Sequence, residues 1–362
     1  MDNSLQNALK PLRDKIDQID RDILELLNQR AQTAIDVGRV KHEHQADSAV
    51  LKPEREAQVI RRLQELNRYG TFTETGVRAV WAEIISVCRG LEKGLTVAYL
   101  GPEGSFSEQA AMEFYGHSVH ALPCPSFDVV FRAVEAGQAD VGMVPVENST
   151  EGAVNRTLDL FLNSTVKVHG VRSIPIRHCL MSQHGTMDGV KSIMAHPQAL
   201  AQCQKWLSQH HPTLDIVPAA SNSEAARHAA QDESVAAIAG ETAAVFWNLG
   251  LVASGIQDDA NNKTRFLAIG NIETAPSGRD QTSLIFAVPN RVGAVYEMIS
   301  PFARNGVSMT RFESRPARTG QWEYYFYVDV LGHCSDENVA RALEELKQQS
   351  AFFKILGSYP MQ

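Results

Sequence analysis

Residues 255–270 read GIQDDANNKTRFLAIG. Asn261, Asn262, Lys263, Thr264 and Arg265 crowd the entrance of a strand-like run over 266–269. Amides, a hydroxyl and a guanidinium gathered at a strand entrance suit a small carboxylate. Arginine grips carboxylates bidentately, and neutral groups set the orientation. A solvated turn would have the same composition. A second constellation lies near the other end of the chain. Steps of three and four put Ile23, Leu27, Arg30, Ala34, Val37 and Lys41 on one helical face, with Arg13 at its edge. Cations normally take the opposite, solvated face of an amphipathic helix. Glu56 shares a face with Val59, Ile60 and Leu63, and Glu92 shares one with Trp81, Ile84 and Cys88. Taken singly, each charge could snorkel from the margin of its apolar stripe. Together, Arg30, Lys41, Glu56 and Glu92 fit a polar, anion-binding cavity inside a helical bundle.

The elements that must position these residues can be read from periodicity. Residues 5–44 hold a helical stripe of Leu12, Ile16, Ile19, Ile23, Leu26, Leu27, Ala34 and Val37. Forty residues make a rod of roughly 60 Å. No short neighbour can bury such a stripe, so a homodimer or a higher homo-oligomer is expected. Pro53 opens a second helix reaching about residue 67, and a third spans about 74–91.

From residue 96 onward strands and helices alternate. Strands are expected at 96–100, 140–146, 166–174, 179–182, 190–195, 215–218 and 235–239, with helices after several of them. That order implies a mainly parallel sheet or two small α/β lobes. Ligands then sit outside the carboxyl ends of the strands, where GPEGSFS, VPVENS and HPQ fall. GPEGSFS lacks the GK[ST] ending of a nucleotide loop. Ser105 and Ser107 either offer donors to an anion at a helix start or cap that helix, with Ser107 the expected cap. His196 is either a base or a structural residue, and Ser221 or Asn222 caps the helix of SNSEAARHAA. Beyond the polar linker GNIETAPSGRDQ come strands at 282–289, 307–314, 322–331 and 352–358 and helices at 292–305 and 336–350. This is the βαββαβ order of a ferredoxin-like domain.

Composition limits the classes. The 362 residues suit two or three domains, and 44% hydrophobic content is ample for several cores. A net charge of −8, with no Lys/Arg block, argues against nucleic acid. Five scattered cysteines, Cys88, Cys124, Cys179, Cys203 and Cys334, with no CxxC pair, point to neither a disulfide framework nor a zinc or other metal site. The charged start MDNSLQNALKPLRDKID does not read as a signal peptide, and no run approaches a membrane span. A reduced, cytoplasmic enzyme is the expected class.

LRDKIDQIDRDILELLNQRAQTAIDVGRVK followed by PERE resembles the all-helical chorismate mutase family. The resemblance implies an all-α intertwined dimer over 1–93 in which each site borrows an arginine, here Arg13, from the partner's long helix. It implies that Arg30 binds a substrate carboxylate and that Lys41 reaches a carboxylate and the ether oxygen. Arg55 and Glu56 would handle the substrate hydroxyl. Lys52 stands where an aspartate is often found, and Cys88 and Glu92 stand where well-known members carry serine and glutamine. The rearrangement is pericyclic, so the site must hold a compact dianion and stabilise charge on the ether oxygen. Glu92 can donate a hydrogen bond only in its protonated form.

GPEGSFSEQAA, VPVENSTEG, AHPQALAQC and NKTRFLAIG, in that order, resemble prephenate dehydratase. The resemblance implies a two-lobed, binding-protein-like α/β domain over 95–272 that turns prephenate into phenylpyruvate. Thr264 would be catalytic, and Ser105, Ser107, Asn148, Ser149, Gln198 and Arg265 would line the cleft. No cofactor is implied. NRVGAVYEMISPFARNGVSMTRFESRP resembles an ACT domain, implying an α+β ferredoxin-like regulatory module over 280–362. L-phenylalanine would bind there through Gly293, Ala294, Val295, Glu313, Ser314, Arg315 and Pro316. Alternatives are a dimerisation-only module, a non-catalytic ligand sensor, or a degenerate mutase bundle that only dimerises. The TRF cluster opposes the sensor, and the intact Arg13, Arg30, Lys41 and Glu56 oppose the degenerate bundle.

Overall fold

The structure, a computed structural model, describes residues 3–44, 51–288, 291–317 and 324–361. The expected strand start at Trp322 and strand end at Pro289 lie outside the described residues.

The first unit is three helices: α1 (Asn3–Glu43), α2 (Pro53–Leu66) and α3 (Glu74–Glu92). Proline occupies the first turn of α2, where its missing N–H costs nothing. Thr73 caps α3 by accepting from the Gly76 N–H at 3.0 Å. The C-terminal half of α1 lies along α3. Gly38 makes this approach possible, since a methyl there would sit 2.8 Å from Glu92 Cγ. The N-terminal half of α1 leaves Leu12, Ile16, Ile19, Ile23 and Leu26 exposed. The stripe is therefore uncovered within the protomer.

The second unit has two lobes. Lobe I contains β1 (Thr96–Leu100), α4 (Phe106–Tyr115), β2 (His120–Cys124), α5 (Phe127–Glu135), β3 (Val141–Asn148), β4 (Gly152–Ala153), α6 (Asn155–Asn163) and β5 (Lys167–Pro175). Lobe II contains β6 (Cys179–Ser182), β7 (Ser192–Ala195), α7 (Pro197–Gln202), α8 (Gln204–His210), β8 (Asp215–Pro218), α9 (Asn222–Gln231), β9 (Val235–Ala239), α10 (Glu241–Trp247) and β10 (Gly250–Ser254). The chain then returns to lobe I as β11 (Lys263–Gly270). Of the two arrangements left open by the sequence, the structure takes the two lobes. Neither sheet is purely parallel: lobe I orders as β2-β1-β3-β11-β5 and lobe II as β10-β6-β9-β7-β8. β11 runs antiparallel between β3 and β5, pairing Thr264 with Asn148 and Arg265 with Glu147.

The third unit follows the βαββαβ order: β12 (Asp280–Val288), α11 (Ala294–Arg304), β13 (Met309–Pro316), β14 (Tyr324–Leu331), α12 (Glu337–Gln349) and β15 (Phe352–Pro360). Its antiparallel sheet orders as β13-β14-β12-β15. It does not hang on a flexible tether. Ile285, Tyr327, Leu356 and Tyr359 are buried in one core with Val144, Val146, Leu158, Phe161 and Leu267 of lobe I. Removing this much apolar surface from water holds the two units together.

Candidate active sites

A cavity of about 1040 Å³ opens between the two lobes. Thr264 enters it at the start of β11, and Asn148 enters beside it at the end of β3, both buried to 8% exposure. Asn148 Nδ2 donates to Thr264 Oγ1 at 2.8 Å and to Asn262 Oδ1 at 2.9 Å. Its Oδ1 accepts from the Thr150 and Glu151 N–H groups at 3.0 Å, which fixes the turn after β3. Because the threonine oxygen already accepts a bond from the amide, its own O–H is left to donate. A threonine held in this way is an oriented hydrogen-bond donor on the cleft wall.

The floor continues through side chains that motif reading missed. Gln202 Oε1 accepts from Asn262 Nδ2 at 3.1 Å and from His178 Nε2 at 3.0 Å. Burial holds the His178 imidazole below its ordinary pKa, with the Gln202 bond opposing. Its Nδ1 is buried without a partner. Gln202 lies one turn after Gln198 on α7, a spacing that could have revealed it. Arg227, on α9, is the one guanidinium lining the cavity among the described residues, with Glu224 Oε1 at 3.8 Å. The lobes touch across the cavity rim. Ser223 Oγ donates to the Glu103 carbonyl, and Thr242 Oγ1 donates to the Gly104 carbonyl at 3.3 Å. Gly104 has φ of 78°, and a Cβ there would lie 2.9 Å from Ala243 Cα. The turn needs glycine for both reasons.

The expected cleft residues divide. Ser105, Ser107, Asn148, Gln198 and Thr264 line the cavity. Ser105, not Ser107, caps α4, accepting from the Glu108 N–H at 3.3 Å and donating to the Leu100 carbonyl at 3.0 Å. Ser107 is one residue inside the helix and is free of that duty. Ser149 is corrected: it is exposed and off the cavity wall, its Oγ accepting from the Lys263 N–H at 3.0 Å. Arg265 is corrected as well. Successive strand residues face opposite sides, so Thr264 in the cleft sends Arg265 out of the back of the sheet. There Arg265 Nη2 pairs with Asp329 of β14 at 2.9 Å. His196 accepts from the Gln198 N–H at 3.3 Å and so serves as the cap of α7.

The helical unit gathers the second constellation. Arg30 Nη1 reaches the Ile84 carbonyl of α3 at 3.5 Å, and Lys41 Nζ meets Glu92 Oε1 at 2.8 Å. Glu56 accepts from Arg89 at 2.6 Å, an arginine not expected from the sequence, whose other nitrogen donates to the Tyr115 carbonyl of lobe I. Burial raises the Glu56 pKa, opposed by Arg89 and, more weakly, by Arg30. Cys88 is buried, while Lys52 and Arg55 are exposed at the head of α2. Arg13 is exposed. Seventeen residues of helix separate it from Arg30, about 26 Å at 1.5 Å per residue. One protomer does not bring it to the site.

In the third unit Gly293 stands at φ 83° at the start of α11, with Ala294 buried and Val295 exposed behind it. Glu313, Ser314, Arg315 and Pro316 lie on β13, at an edge of the sheet. Arg315 is corrected: its guanidinium is buried and bonds Asn155 Oδ1 at 2.7 Å and Asp159 Oδ1 at 3.1 Å on α6. It is an anchor to lobe I rather than a contact for a small ligand.

Three family models match the chain in succession: Chorismate mutase type II over residues 12–93, Prephenate dehydratase over 97–274 and ACT domain over 282–348. A helical site, a two-lobed cleft and a sensing module carried on one chain define a multifunctional, allosteric enzyme. A bifunctional chorismate mutase/prephenate dehydratase of Neisseria gonorrhoeae is 45% identical over 363 residues, covering 99% of each chain. One of Aquifex aeolicus is 42% identical over 355 residues, covering 97% of this chain and 98% of its own. The chain belongs to the family of bifunctional chorismate mutase/prephenate dehydratases. Among solved structures, an Arthrobacter aurescens prephenate dehydratase in complex with L-Phe superposes with a TM-score of 0.68 at 33% identity, covering 74% of this chain and 90% of that one. No helix among the described residues is long and apolar enough to cross a membrane.

Proposed function

We propose that the chain rearranges chorismate to prephenate in the helical unit and converts prephenate to phenylpyruvate in the cleft, with L-phenylalanine binding the third unit as feedback inhibitor. The domain limits we assign are 1–93, 95–272 and 280–362. The observation that carries the dehydratase assignment is the Asn148–Thr264 pair. Losing carboxylate and hydroxyl together aromatises the ring, so the driving force is internal to the substrate. The enzyme must polarise the departing hydroxyl and desolvate the departing carboxylate. Thr264 O–H, turned outward by the Asn148 amide, donates to the leaving hydroxyl. Arg227 receives a substrate carboxylate from the facing lobe.

In the mutase site Arg30 and Lys41 hold the substrate carboxylates, and Lys41 with Glu92 attends the ether oxygen, where charge develops. Substrate must replace the Lys41–Glu92 contact or share it. Glu56, engaged by Arg89, shapes the wall beside them. Arg13 completes the site only in trans, which fits the uncovered apolar stripe of α1 and implies a homodimer. The enzyme works in the cytoplasm.

The test supplies chorismate or prephenate to pure protein and follows consumption of each substrate as well as formation of phenylpyruvate. Arg30→Ala should abolish turnover of chorismate yet leave turnover of supplied prephenate within about twofold. Thr264→Ala should do the reverse, lowering prephenate turnover by about 100-fold or more, as for loss of a transition-state donor. Loss of both activities in folded Arg30→Ala protein would refute two separate sites.

A further inference from the structure

Directly behind the catalytic pair sits a square of four charges. Thr264 and Asn148 are register partners facing the cleft, and their chain neighbours Arg265 and Glu147 are register partners facing the opposite way. Across the interface Arg311 and Asp329 are register partners on β13 and β14 of the sensing unit. The two pairs interlock: Arg265 Nη2 meets Asp329 Oδ2 at 2.9 Å, and Glu147 Oε2 meets Arg311 Nε at 2.9 Å. Asp329, only 5% exposed, also accepts from Ser283 Oγ at 2.5 Å, and that hydroxyl lies 2.6 Å from the Tyr359 OH. Arg311 Nη2 is buried with no partner. The Arg265–Asp329 pair is the deeper of the two, with Asp329 buried, whereas the Glu147 side chain is 41% exposed. Removing Arg265 therefore strands the Asp329 charge.

We infer that Arg265 is a positioning residue for the dehydratase reaction, acting through Asp329. By fixing the back of β11 to β14 it fixes the front of β11, and hence the Thr264 hydroxyl, against Asn148. The same square makes the catalytic strands sensitive to the sensing unit. Arg311 lies on β13 two residues before Glu313, just ahead of the segment assigned above to the effector. A ligand that shifts β13 shifts Arg311 against Glu147, and Glu147 adjoins Asn148. Both ends are tied by discrete ion pairs, one largely buried at Arg265–Asp329 and one partly exposed at Glu147–Arg311, which gives the coupling a contiguous path from β13 to β3 and β11. This inference rests on the reading of Thr264 and Asn148 as the dehydratase site.

The experiment uses full-length Asp329→Asn, which keeps the shape and the bond to Ser283 but removes the charge opposing Arg265. Prephenate turnover should fall about tenfold in kcat with KM within about twofold, because the donor is misplaced and the binding surface is not. The activity ratio without and with saturating phenylalanine should shrink at least threefold. Mutase kcat and KM should be unchanged, which reports correct folding. Arg265→Gln and the Arg265→Gln/Asp329→Asn double variant complete a cycle, in which the double should be no worse than either single. If Arg265→Gln fails to fold, Asp329→Asn alone still decides. A kcat within twofold of the parent, or an unchanged phenylalanine response, overturns the inference. Thr264→Ala run beside it separates the two readings: full activity in that variant removes the site assignment, whatever the square does.

Discussion

Gly38→Ala tests the mutase site through helix packing alone. In an exposed helix interior this change stabilises by about 1 kcal/mol, since alanine is the better helix former. Here the new methyl would lie 2.8 Å from Glu92 Cγ, and ordinary contact begins at 3.4 Å. Glu92 or the whole of α3 must therefore retreat by about 0.6 Å, the difference of those distances. The obstacle is the middle of the side chain and not its mobile end, so the Lys41–Glu92 contact at 2.8 Å is displaced with it. Overpacking of this kind costs about 1–3 kcal/mol. Set against the propensity gain, the net destabilisation is about 0–2 kcal/mol. Misplacement of a catalytic group by 1 Å can cost about 100-fold, so mutase kcat should fall by roughly tenfold. Prephenate turnover, some distance away in the cleft, should stay within about twofold. The assays are chorismate consumption, prephenate consumption and urea unfolding of the same preparation. A variant stabilised by about 1 kcal/mol with unchanged mutase activity would refute both the tight α1–α3 approach and the role of Glu92 beside Lys41.

Two further outcomes are expected. Gly293→Val places a β-branched residue at φ 83°, a conformation such residues avoid, so phenylalanine inhibition should weaken severalfold while uninhibited dehydratase activity persists; inhibition curves check this, and an unchanged midpoint would move the effector elsewhere. A point variant is preferable to deleting residues from about 280 onward, because that deletion would strip the core shared with lobe I. His169 is fully buried, with Nε2 2.8 Å from the Tyr115 OH, and burial lowers its pKa from 6.5 to about 3. The folded state thus binds fewer protons than the unfolded state between those values, and stability is lost as pH falls below about 6.5. At about 1.4 kcal/mol per pH unit this amounts to about 2 kcal/mol between pH 7.5 and 5. Urea midpoints of His169→Gln should lack that share of the decline, and equal declines in both proteins would show that His169 does not carry it.

Periodicity alone determined a good deal here. The stripe of α1, the proline start of α2 and the βαββαβ order of residues 280–360 are local patterns, and each formed within a few residues of its expected bounds. Thr264 and Asn148 were legible because both stand at strand ends in polar runs, and Arg30, Lys41 and Glu92 because they interrupt apolar faces. β2 is too short to leave a clear period. α5 and α6 are amphipathic, burying Val130, Phe131 and Val134, and Leu158 and Phe161, but each spans only nine residues. The partners of the charges were not legible at all. Strand alternation states that Thr264 and Arg265 face opposite ways, but not which of them faces the cleft. That was decided by β11 returning from lobe II to lie between β3 and β5, with the sensing sheet packed behind it. Arg315 inside a ligand motif, Arg89 on Glu56 and Ser149 on a backbone N–H are cases of the same kind. A side chain's type and spacing fix what it can bond. Which group it does bond depends on residues many positions away, and folding brings those into reach only where burying apolar surface dictates.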